Sequence, residues 1–76
     1  MGFTEEDFEG LKKHVAERII SLRKERGMTQ VELAVLVETD AKAIRRIEKC
    51  EVNPRLFTLA RVAESLGVSV SELLKK

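Results

Sequence analysis

The chain has 76 residues, with 14 Lys and Arg against 13 Asp and Glu and a formal net charge of +1. That length fits one small domain, and the charge balance argues neither for nor against a polyanionic partner. One Cys excludes an internal disulfide and suits a reducing cytoplasm, and no apolar run is long enough to cross a membrane. The acidic start is unlike a secretory leader, and Glu6 stands where a myristoylation signal on Met1-Gly2 needs Ser or Thr.

In chain order, the first predicted helix runs from about Glu5 to Arg26. Thr4-Glu5-Glu6-Asp7 resembles a capping box, and Phe8, Leu11, Val15, Ile19 and Leu22 recur at helical spacing before Gly27 ends the segment. Gly10 weakens this helix by roughly 1 kcal/mol relative to Ala, so the part before it is expected to fray or bend. Thr29-Gln30-Val31-Glu32 is a full capping box for a second helix, about Gln30 to Val37. Asp40 is a good N-cap for a third, which ends near Lys49. Cys50 to Asn53 form a loop, and Pro54 marks the start of a fourth helix whose apolar face is Leu56, Leu59, Val62, Ala63 and Leu66, closed by Gly67. Ser69-Val70-Ser71-Glu72 boxes a short fifth helix, roughly Val70 to Leu74. Apolar pairs at the staple positions accompany each box: Phe3 with Phe8, Met28 with Leu33, Val68 with Leu73. The expected fold is all-α, five helices in one domain over residues 1–76, with 1–14 extending the first helix.

The stretch Thr29–Glu48 carries the functional signal. Ala34 is small enough for a partner helix to cross closely, and Ile44 and Ile47, three apart, give the third helix one buried edge. The opposite edge then presents Lys42, Arg45, Arg46 and Lys49, with Arg55 just beyond, as a basic patch in a chain whose acids crowd Glu5, Glu6, Asp7 and Glu9. Two short helices across a tight turn, the second with cations outward, make a helix-turn-helix. Enzyme chemistry is poorly supported: no nucleophile stands beside a base, no metal ligands cluster, and no Gly-rich phosphate loop is present. No cofactor is implied.

These residues also carry a resemblance. Leu22-Arg23, Arg26-Gly27-Met28-Thr29-Gln30, Glu32-Leu33-Ala34, Ile44, Ile47-Glu48, Asn53-Pro54, Leu59 with Ala63, and Leu66-Gly67-Val68-Ser69 resemble the phage repressor and Cro-type (xenobiotic-response-element-like) helix-turn-helix family over about Val15 to Leu74. The resemblance implies that Ala41, Lys42, Arg45 and Arg46 face base edges. It implies that Thr29, Gln30, Lys49 and Arg55 reach phosphate or the minor groove, and that Arg23 and Glu48 form a partly buried structural ion pair. No metal site is implied.

Three residues depart from the family pattern. Glu38 stands where the turn usually has Gly, at a cost on the order of 1 kcal/mol, and puts a carboxylate near any bound backbone. Cys50 replaces the Gly that commonly ends the third helix; with no partner ligand at hand it reads as structural filler. Arg55 replaces the Ser or Thr that often caps the fourth.

The family's use implies a cytoplasmic transcriptional regulator that binds a double-stranded DNA operator as a homodimer. Phe57, Val70 and Leu74 are the residues expected at the dimer surface. The alternative is a protein-interaction module or antitoxin, using the same fold to hold a toxin or sensor domain through its acidic first helix. Phe3 and Phe8 would then offer an apolar contact to the partner chain.

Overall fold

Three of the five helices open on a reciprocal capping box, in a computed structural model that describes residues 2–76; Met1 of the Met1-Gly2 reading lies outside the described residues. The helices are α1 (Glu5–Glu25), α2 (Gln30–Val37), α3 (Ala41–Glu48), α4 (Leu56–Leu66) and α5 (Val70–Leu74), and no strand occurs among the described residues. At α1 the Asp7 amide donates to the Thr4 hydroxyl at 3.1 Å while the Thr4 amide donates to the Asp7 carboxylate at 3.0 Å, so Asp completes the box as Glu would. Asp40 caps α3 by accepting from the Ala43 amide at 2.8 Å.

The ends share a device of their own. Gly27, Glu38, Cys50 and Gly67 all take a left-handed conformation, with φ of 65°, 66°, 60° and 75°. In each case the next residue's amide bonds back to a carbonyl five residues earlier: Met28 to Arg23, Thr39 to Ala34, Glu51 to Arg46 and Val68 to Ala63. Four helices therefore stop within two residues of a left-handed position, and two of those positions are not glycine.

The core draws on every helix. Val15, Ala16, Ile19 and Leu22 of α1 meet Leu33, Ala34 and Val37 of α2, Ile44 and Ile47 of α3, Val62, Ala63 and Leu66 of α4, and Leu73 of α5. α2 packs against both α3 and α4, while α1 lies along α3, α4 and α5. The His14 imidazole Nε2 hydrogen-bonds the Lys75 carbonyl, tying α1 to the segment after α5.

Two expectations change. α1 is unbroken through Gly10, because neighbouring turns supply continuous backbone bonds and the glycine penalty is small against them. Leu56 is 72% exposed and does not join the apolar face of α4. At 100° per residue it sits about 70° from the centre of the stripe formed by Leu59, Val62, Ala63 and Leu66, in a first turn with no preceding turn to cover it.

Candidate nucleic-acid interface

α3 is set in place by its buried edge. Ile44 and Ile47 enter the core, and Glu48 follows them inward to meet Arg23 of α1. Arg23 Nε donates to Glu48 Oε2 at 2.8 Å and Nη2 to Oε1 at 3.1 Å, a two-point fork. Arg23 Nη1 donates to the Met28 carbonyl at 2.8 Å, and Gln30 Nε2 donates to Glu48 Oε1 at 2.9 Å. One buried carboxylate thus gathers α1, the start of α2 and the end of α3, with its charge neutralised and its oxygens occupied.

Fixing that edge fixes the opposite one. At 100° per residue, Lys42, Arg45, Arg46 and Lys49 fall within an arc of about 100° centred about 180° from Ile44 and Ile47. All four are exposed, and none joins an ion pair among the described residues. Ala41 stands half-buried at the first position of the helix. Of the acidic groups nearest in sequence, Asp40 caps the helix and Glu48 is turned inward, while Glu51, just past the end of α3, is exposed and pairs with none of the four cations. α3 therefore presents a convex cationic ridge.

Flanking this ridge, Arg46 shares a shallow depression with Thr39, Ala43, Asn53, Arg55 and Thr58. Thr39, Arg55 and Thr58 continue into a second depression with Glu38, Phe57 and Arg61. The start of α2 lies on its own capping box. The Thr29 hydroxyl accepts from the Glu32 amide at 3.0 Å, which leaves its own hydrogen available to an acceptor. Gln30 commits one amide hydrogen to Glu48 and keeps the second.

Sequence reasoning missed Arg61. Its Nη2 lies 2.7 Å from the Glu38 carboxylate and its guanidinium sits over the Phe57 ring at 5.4 Å. The Phe57–Arg61 spacing of four on one helix was the available signal. Of the residues expected at a dimer surface, Val70 is half-buried against the core, and Phe57 and Leu74 line separate depressions. Cys50 is half-buried, and no group of three metal-ligating side chains occurs among the described residues. Among the described residues no helix is long and apolar enough to cross a membrane.

The helix-turn-helix model HTH_3 matches residues 19–73. The immunity repressor of Bacillus phage phi105 is 42% identical over 60 residues, covering 79% of this chain; the chain spans only 42% of that repressor's length. An uncharacterized HTH-type transcriptional regulator of Sinorhizobium fredii, y4dJ, is 33% identical over 64 residues, covering 84% of this chain and 83% of the relative. Among solved structures, the P22 c2 repressor in complex with a synthetic operator superposes with a TM-score of 0.75 at 31% identity, covering 80% of this chain and 92% of that one.

Proposed function

We propose that this chain, which belongs to the helix-turn-helix family HTH_3, is a sequence-specific double-stranded DNA-binding transcriptional regulator that lays α3 in the major groove. The observation that carries the reading is the unpaired cationic ridge of Lys42, Arg45, Arg46 and Lys49 opposite the buried Ile44 and Ile47. The names of the phi105 and Sinorhizobium relatives and the operator in the P22 structure support it.

In this reading Ala41, Lys42, Arg45 and Arg46 face base edges. Arg46 or Lys42 gives N–H donors to guanine O6 and N7, an interaction worth about 1–3 kcal/mol of discrimination, and the Ala41 methyl packs on thymine. Thr29 and Gln30 donate to phosphate at the positive end of α2, and Lys49 and Arg55 hold the flanking backbone or minor groove. Arg23 and Glu48 act as scaffold. A single recognition helix spans few base pairs, so useful specificity calls for a homodimer reading half-sites roughly 34 Å apart. Such a regulator works by binding, in the cytoplasm, with no chemical step.

A second reading, a module that docks a partner protein such as a toxin or sensor domain, is favoured by α1. Its first turn carries Glu5, Glu6 and Asp7 beside Phe3, which is 68% exposed and meets Phe8 edge-on at 6.3 Å.

Selection from random duplexes, followed by a salt titration of the winner, decides between them. The DNA reading expects an enriched, roughly two-fold symmetric site, with log affinity falling linearly in log salt. No enriched site, or an affinity indifferent to salt, would favour the protein-binding alternative.

A further inference from the structure

The turn between α2 and α3 carries a carboxylate where a DNA-facing surface would least tolerate one, and α4 carries its partner. Glu38 is mostly exposed at the tip of that turn, held in the left-handed conformation. Arg61, on the second turn of α4, brings Nη2 to 2.7 Å from its Oε2. A pair with side chains 34% and 71% exposed exchanges readily, since water and counterions reach both members. The guanidinium has five N–H donors in a planar fork, and its carbon lies over the Phe57 ring, 5.4 Å from the centroid. Arg61 and Glu38 share their depression with Arg55, Thr39 and Thr58, the last three continuing directly to Arg46.

We infer that Arg61 is a DNA backbone contact held by Glu38 in the free protein and transferred to a phosphate oxygen when duplex docks; this rests on the DNA-binding reading above. A phosphodiester offers the guanidinium what the carboxylate offers, acceptor oxygens with negative charge, and can engage two of its donors at once. The transfer makes no base contact, so it raises affinity for any sequence alike. Glu38 thereby sets how much non-specific binding the protein allows.

The test uses the full chain with Glu38→Gln as the parent, so that Arg61 has no carboxylate left to neutralise. Adding Arg61→Ala to that parent weakens binding about five-fold to the selected duplex and to an unrelated one alike, and makes the log-affinity against log-salt slope shallower by about 0.9. Arg61→Gln, which keeps the stem over Phe57, gives the same loss if the alanine variant folds poorly, and Arg61→Lys retains the slope. Unchanged affinity and slope on losing Arg61 from the Glu38→Gln protein would overturn the assignment and leave Arg61 as a neutraliser of Glu38 alone. If the parent binds no duplex at all, the DNA-binding reading falls and takes this inference with it.

Discussion

Arg23 and Glu48, 25 residues apart in sequence, close a two-point ion pair that turns the end of α3 inward while its basic side chains turn out. The side chains are 11% and 5% exposed, so removing one partner strands the other charge in a place water barely reaches. Glu48→Ala and Arg23→Ala are each expected to lower stability by about 3 kcal/mol, and the double replacement by clearly less than the sum. Urea denaturation of the two single variants and the double variant measures this; additive losses would contradict a coupled pair.

Replacements on the exposed face of α3 should sort by what each side chain touches. Lys49→Ala is expected to weaken binding to all duplexes alike and to make the salt slope shallower by about 0.9. Arg46→Ala is expected to cost about 1–3 kcal/mol on the selected site and to relax one base position. Titrations against the selected duplex and single-base variants separate the two behaviours.

The two left-handed caps that are not glycine mark stability left unused. Cys50 at φ 60° holds a conformation that costs an L-residue about 1 kcal/mol, and its thiol has no role in the proposed interface. Cys50→Gly is expected to raise stability by about 0.5 kcal/mol after the added freedom of the unfolded chain is subtracted. Thermal unfolding followed by circular dichroism gives the sign, and a lower midpoint would count against strain at this cap.

Acid should loosen the helix starts at α1 and α5. The Thr4 backbone amide, followed by the Thr4 hydroxyl, holds the Asp7 carboxyl below its ordinary value of 3.8, and the Ser69 amide chiefly holds Glu72 below 4.5. Because the folded-state values are depressed, their contribution is fully present above those ordinary values and is lost as pH falls through the lower, folded ones. Carboxyl titration by NMR should show Asp7 rising only part of the way to its ordinary value in Thr4→Gly, and Glu72 likewise in Ser69→Ala, since the lead cause in each is a backbone amide that the replacement keeps; a full return in either would contradict that cause.

Helix positions were legible because their signals are local. Thr4, Thr29 and Ser69 announce three starts by short-range bonds, and Gly27 and Gly67 announce two stops through the backbone conformation they permit. The inward turn of Ile44 and Ile47 was legible from their spacing alone. Leu56 was misplaced because spacing gives a direction around the helix and not whether another element reaches that turn. Arg61 was missed because its significance lies in Glu38, 23 residues away on another element, a pairing no periodicity encodes. The resemblance implies a phosphate contact for Gln30 but not the bond from one of its amide hydrogens to Glu48, a partner 18 residues away that only the fold brings near.

In the proposed complex the outward face of α3 reads bases in the major groove. Guanine N7 faces only that groove, so 7-deazaguanine placed in turn at each guanine of the selected half-site tests it directly. One position is expected where losing N7 weakens the unaltered protein about ten-fold and leaves an Arg46→Ala or Lys42→Ala variant unaffected. Equal sensitivity in the protein and both variants, or none anywhere, would contradict it.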